Sequence, residues 1–438
     1  MNILSAPQTA LPFKRLPEGY RAYLVGGTVR DIFMSRMPTD YDIAVDGNPE
    51  DFARKLAAEN KGRVVILGKP GLLLFRVVIR GHLVDITGLS GGAIEADLGE
   101  RDFTINAMAL ELASGKVIDL FGGRRDIEDR VVRMVSPTAF IHDPVRLIRA
   151  YRMAAVFSFA LSSETADAIV THARWIRTSA AERIRDELSK ILECGASLGV
   201  VRQMEQVGLL GAVFPELSEP LQKHQLPYNA YEELELTLRT PELRFPERAD
   251  KIRRDMGKPE IGLLKCCSLF QGAGPVTDTA GDMASCEEAE KRADMAWGIA
   301  SRLKFSNYRK QFVETVVRYA PLTSRLCRGK LTPREHMQFY TRFDAFVPAM
   351  LLLEASMNKN AAAEIEDLFQ EFYGYYRTIS RTPPLISGRD LIRDLGLDPS
   401  PVFKQILTTI AEERFLGNLD TREDALEFAR QWLADNRE

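Results

Sequence analysis

Leu24-Val25-Gly26-Gly27-Thr28-Val29-Arg30-Asp31, followed closely by Pro38-Thr39-Asp40-Tyr41-Asp42-Ile43-Ala44-Val45, decides how this 438-residue chain is read. An apolar run ends in a glycine pair, a short helical pattern follows, and a second apolar run opens with Asp-x-Asp. Alternate side chains of an extended segment share a face, so Asp40 and Asp42 point the same way while Tyr41 and Ile43 turn into packing. Two such carboxylates suit Mg²⁺, a hard ion that completes its shell with water and substrate phosphates. Gly26 and Gly27 let backbone N–H groups approach phosphates closely, and Arg30 carries a planar fork of donors that matches phosphate oxygens. Either piece alone is more often a solvated turn or a helix cap. Their order and spacing predict a cation-dependent phosphate site.

The pattern around these pieces is mixed at first and helical later. Tyr23–Gly26, Ile43–Val45, Arg63–Leu67, Leu72–Ile79, His82–Ile86, Ala107–Leu112 and Lys116–Asp119 read as strands, and 28–35 and 49–60 as helices. That alternation predicts a compact sheet with helices on one side. From about residue 136 onward amphipathic helical patterns take over, with breaks near Pro215–Pro220, Pro227, Pro241–Pro246, Gly272–Gly281 and Arg381–Pro384.

Further candidates follow along the chain. Asp85 closes the apolar run His82-Leu83-Val84-Asp85 and reads as a third cation ligand, as a base for a hydroxyl proton, or as a plain turn cap. Arg101, Asp102 and Asn106 offer donors and acceptors suited to sugar hydroxyls and phosphates, with Phe103 and Ile105 anchoring them. Asp143, Arg146, Arg149 and Arg152 recur every three residues, which on a helix makes one charged stripe. The stripe suits solvent, or a base edge that meets a carboxylate and a guanidinium together.

The stretch LVGGTVRDIFMSRMPTDYDIAV resembles the head signature of the class II tRNA nucleotidyltransferase and bacterial poly(A) polymerase family, within the polymerase β superfamily. The likeness continues through IEADLGERDFTINAMAL at 94–110, IDLFGGRRDIEDRVVRMV at 118–135, HDPVRLIRAYRMAA at 142–155 and AERIRDELSKIL at 181–192, with a weaker echo in LISGRDLIRDLGLDPSPVFKQIL and TREDALEFARQWL near the end. It implies an α+β fold, with a polymerase β-like nucleotidyltransferase head over 1–135 and an all-α remainder. That remainder divides into a neck over 136–200, an RNA-binding body over 201–330, and a tail over 331–438 that binds RNA or mediates self-association as a homodimer.

The resemblance also implies roles. Asp40, Asp42 and Asp85 become the catalytic carboxylates, with Asp40 and Asp42 holding Mg²⁺. Gly26, Gly27, Arg30 and Arg101 meet the incoming nucleotide, Asp102 and Asn106 shape its ribose site, and Asp143 and Arg146 act as a protein template for CTP or ATP. Arg149 and Arg152 hold phosphate or neighbouring structure. Two positions depart from the family pattern: Glu100 stands where an arginine is usual, and His142 where an acid is usual. Members that complete a CCA end carry a longer polar insert after the third carboxylate, whereas only Ile86–Gly99 intervenes here. The expected activity is therefore addition of two cytidines to the tRNA 3′ end. The alternatives are full CCA addition, A addition or poly(A) synthesis, and, in a different class, an inactive RNA-binding relative.

Composition fits this picture. The chain is 45% hydrophobic and 27% charged, which is ordinary globular material. Its five cysteines show no zinc spacing, and Cys266 and Cys267 read as buried apolar residues in a reduced, cytoplasmic protein. No secretory signal is read in the opening residues, and no apolar run of membrane-spanning length is expected. A net charge of −3 does not exclude RNA, because phosphate contacts need only local basic stripes. Arg174, Arg177, Arg183 and Arg185 form one candidate stripe, and Lys251, Arg253, Arg254, Lys258 and Lys265 another.

Overall fold

The computed structural model describes residues 11–69, 72–217, 226, 228–271 and 282–436. It divides into two units, Met1–Pro215 and Glu216–Glu438. The expected breaks at Pro220, Pro227 and 272–281 lie outside the described residues.

The first unit is built on a seven-stranded sheet: β1 (Arg21–Val25), β2 (Asp40–Asp46), β3 (Arg63–Lys69), β4 (Leu72–Ile79), β5 (His82–Gly88), β6 (Met108–Glu111) and β7 (Val117–Asp119), in the order β3-β4-β5-β2-β1-β6-β7. Each expected strand is found with ends shifted by only a few residues. Within this sheet only β2 and β5 run parallel, and that pairing sets Asp42 directly beside Asp85. Helices α1 (Gly27–Phe33) and α2 (Pro49–Asn60) cover one face, where Leu24, Ile43, Val45, Val84 and Ile86 meet Val29, Phe52 and Leu56. The opposite face is covered too. Tyr23, Val25, Ala44 and Ala109 pack against Ile94 and Leu98 of the short helix α3 (Ile94–Gly99), so the expectation of helices on one side is corrected. Strand β1 shows why: after Arg21 its residues are buried without alternation, as a central strand with both faces covered requires.

The rest of this unit is mostly helical. After α4 (Gly123–Glu128), strand β8 (Val131–Val132) pairs in parallel with β9 (Ala160–Leu161), so backbone pairing crosses residue 135. Helices α5 (Ala139–His142), α6 (Arg146–Phe157), α7 (Ser163–His172), α8 (Ala181–Leu192), α9 (Leu198–Gln206) and α10 (Leu209–Val213) follow.

The second unit is all helix among its described residues. Helix Val347–Met357 is buried along nearly its whole length, an apolar segment without a polar face, as a central bundle helix demands. Lys265 and Glu235 form a buried ion pair at 2.6 Å in this bundle. Cys266 and Cys267 are buried as expected, and burial pushes the Cys266 thiol up to about 12. Near the end, Ile386, Leu391, Ile406, Ile410, Leu426 and Ala429 make a small apolar cluster of their own. Two of its helices open on reciprocal caps, Ser387 with Asp390 and Thr421 with Asp424.

Candidate active site

Gly26 has φ +65°, a left-handed conformation that an L side chain rarely adopts, and a Cβ there would sit 2.8 Å from Arg101 Nη1 and 3.5 Å from Asp42 Oδ2. The chain thus turns sharply from β1 into α1 beneath the Arg101 guanidinium. Thr28 fixes this turn to the carboxylate strand: its hydroxyl accepts from the Asp42 N–H at 2.9 Å and donates to the Asp40 carbonyl at 3.3 Å. Asp40 is exposed and Asp42 half-buried at the head of β2. Burial raises the Asp42 carboxyl pKa above its ordinary value; neighbouring Asp85 and Asp40 add to the rise, and Arg101 and Arg30 oppose it.

Arg30 turns inward. Its guanidinium donates to Asn106 Oδ1 at 2.6 Å and to Asp31 Oδ1 at 2.8 and 3.0 Å, and lies 4.5 Å from the Phe157 ring centroid. It therefore ties α1 to the Arg101–Asn106 motif. In that motif Arg101 is steadied by Asp97 through bonds of 2.8 and 3.0 Å. Buried Asp102 accepts from the Phe103 N–H and from Asn106 Nδ2, and pairs with Arg149 at 2.7 Å. Arg152 pairs with Glu187 of α8 in a largely buried setting, so in this structure it ties α6 to α8.

The expected stripe is interrupted. Asp143 caps α5 in an extended conformation and lies off the helix that begins at Arg146, because Pro144 follows it and disfavours the helical region. Its two oxygens accept from Arg183 at 2.9 and 2.7 Å, while Arg146 donates to the Glu100 carbonyl at 2.8 Å and stands 3.8 Å from Asp143. His142 is exposed at the end of α5. The basic stripe near 251–265 is corrected at Lys265, which is in the core and paired with Glu235.

Asp85 accepts at both oxygens from Arg76 of β4, at 2.7 and 2.8 Å. Sequence reasoning passed over Arg76, Thr28, Asp97 and Glu187, and met Arg183 only as a surface charge. For Arg76 a signal existed, a lone cation in the apolar strand Leu72–Ile79; for Thr28 none did. Among the described residues no group of three or more His, Cys, Asp or Glu side chains is arranged to hold a metal ion. The donor set that does fit one is the Asp40–Asp42 pair, hard oxygens that leave coordination positions for water and phosphate.

A central strand that opens on Asp-x-Asp beside a glycine turn, followed by a helical chain, defines a nucleotidyltransferase head with a helical extension. Residues 22–133 match the poly A polymerase head domain, 158–221 the probable RNA and SrmB-binding site of polymerase A, and 296–429 the putative tRNA nucleotidyltransferase domain 2. The chain is 39% identical over 217 residues to a CC-adding tRNA nucleotidyltransferase of Geobacter sulfurreducens, covering 49% of this chain and 50% of that one. It is 28% identical to a CC-adding enzyme of Synechocystis over 94% of this chain and 93% of the relative, and 28% identical to an A-adding enzyme of Deinococcus radiodurans over 97% and 98%. A solved CCA-adding enzyme with ATP shares the fold at TM-score 0.69 and 23% identity, covering 95% of this chain and 90% of that one. The chain belongs to the tRNA nucleotidyltransferase and poly(A) polymerase family. Within it, the chain is a nucleotidyltransferase of the CCA-adding group.

Proposed function

We propose that this enzyme adds two cytidines to the 3′ end of tRNA from CTP, releasing pyrophosphate, with Asp40 and Asp42 holding Mg²⁺. The observation that carries the choice of CC is the segment after the third carboxylate. Between Gly88 and Arg101 the chain makes one short turn and then α3, whose Ile94 and Leu98 are packed into the sheet. No length remains there for a loop that would let one site exchange cytosine for adenine.

In this reading the nucleotide lies with its triphosphate over the Gly26–Gly27 turn beside Arg101. Its ribose meets the Asp102–Asn106 pair, and its base meets Asp143 and Arg146. Arg30, Arg149 and Arg152 hold these groups from behind. Asp143, clamped by Arg183, and Arg146, clamped by the Glu100 carbonyl, offer an acceptor and a donor in fixed positions, which favours one base. The primer 3′-oxygen attacks the α-phosphorus as the bond to pyrophosphate breaks. A bound Mg²⁺ supplies charge stabilisation of the attacking and leaving oxygens. In this reading the head covers 1–135, the base-selecting neck 136–200, the RNA-binding body 201–330, and a tail that binds RNA or mediates self-association 331–438.

The test is extension of a labelled tRNA transcript lacking its last three nucleotides, with CTP, ATP or both, and of a transcript already ending in CC. Two additions with CTP and none on the CC-ended transcript are expected. Efficient addition of A to the CC-ended transcript would refute CC specificity in favour of full CCA or A addition; the full-length likeness to an A-adding relative makes that the second reading.

A further inference from the structure

Three neighbouring strands set Asp42, Asp85 and Arg76 in one row across the sheet. Asp42 and Asp85 are register partners in the parallel β2–β5 pair, and Asp85 and Arg76 are register partners in the antiparallel β4–β5 pair. Register partners share a face, with strands about 4.8 Å apart, so the Arg76 guanidinium ends in the carboxylate cluster. Its fork takes both Asp85 oxygens at 2.7 and 2.8 Å, with Asp85 14% and Arg76 33% exposed. Asp40 and Asp42 also act on Arg76 electrostatically.

The other cations near this row are committed elsewhere. Arg101 is bound by Asp97, and Arg30 by Asp31 and Asn106. Arg76 differs because its partner is itself a member of the row. We propose that Arg76 is the resident counter-ion of the carboxylate row, occupying Asp85 when no divalent cation is bound and so setting the cation concentration at which the row fills. This rests on the reading of Asp40 and Asp42 as the cation ligands. An ordinary cross-strand ion pair would support the sheet and be indifferent to cations. A counter-ion competes with them, because each added positive charge lowers the row's attraction for the next.

The experiment uses the full chain without nucleotide and follows Mn²⁺ binding by calorimetry, with thermal unfolding measured in parallel. Arg76→Gln is expected to lower the half-saturating Mn²⁺ concentration roughly fivefold to twentyfold, the effect of one charge at a partly screened distance of several ångströms. Saturating Mn²⁺ should raise the unfolding temperature more in this variant than in the parent. Arg76→Met, which suits the apolar strand around it, is made alongside so that poor folding of one variant leaves the question answerable. A midpoint equal to or above that of the parent in the folded variants overturns the inference. Asp42→Asn in the same titration separates the two readings: if it abolishes binding the cation site stands, and if it binds Mn²⁺ as the parent does, the cation-ligand reading falls and takes the counter-ion role with it.

Discussion

At residue scale, the charge on Asp42, the residue proposed to hold a cation, works against stability. Its carboxyl is raised because burial, then Asp85 and Asp40, disfavour the charge. A carboxyl raised in the folded state favours the protonated form there. Its contribution to stability is therefore present at low pH and is lost as pH rises through the raised value, leaving a repulsive charge at neutrality. Asp42→Asn is expected to stabilise the cation-free protein at pH 7.5 by on the order of 1 kcal/mol, about 2–4 °C for a unit of this size. The gain should fade as pH falls below the raised value. Thermal unfolding from pH 4 to 8 in chelator checks this; a variant less stable than the parent at pH 7.5 would contradict it. Asp-x-Asp and the glycine pair were legible because their spacing is local. Thr28, which joins α1 to β2 through two hydrogen bonds, was not, because a lone threonine after glycine carries no pattern.

At the scale of elements, Lys265 shows how a charge can mislead. In sequence it closes a run of cations, yet helix Lys258–Gln271 turns it into the bundle, where it is 1% exposed against Glu235 at 8%. Removing one partner strands the other charge in the core. Lys265→Met is thus expected to cost about 3–5 kcal/mol, and Lys265→Met with Glu235→Leu to recover most of it. Denaturant midpoints of the single and double variants decide this, and a single variant as stable as the parent would show that the pair is not buried in solution. The seven strands of the main sheet were legible to within a few residues at their ends, since alternating or continuous apolar runs end at turn residues, whereas the two-residue strands β8 and β9 were too short to leave a pattern. The helical half was legible only as helix, because an amphipathic pattern shows that a face is buried without showing against what.

For the whole molecule, the net charge of −3 conceals local excesses of cation. Arg174 and Arg177 are exposed in the first unit, and Arg254 and Lys258 in the second. If tRNA is gripped through several phosphates, raising salt from 50 to 200 mM should weaken its binding by more than about tenfold and that of CTP much less. Filter binding of tRNA beside equilibrium dialysis of CTP measures both. Equal salt sensitivity would argue against a multi-phosphate RNA surface. No helix among the described residues is long and apolar enough to cross a membrane.

By itself the sequence determined the strands of the head, the helical remainder and the two carboxylates at the head of β2, all matters of local spacing and periodicity, while the family was legible through the likeness of whole motifs to a known signature. Only the tertiary structure decided which charges meet. Arg76 reaches Asp85 through antiparallel register, Asp85 reaches Asp42 through the one parallel pairing in the sheet, and Arg183 reaches Asp143 across forty residues of chain. Such pairings depend on strand order and helix packing, which no local pattern specifies. The partners of the candidate active site, and hence its electrostatics, emerge only once the chain has closed on itself.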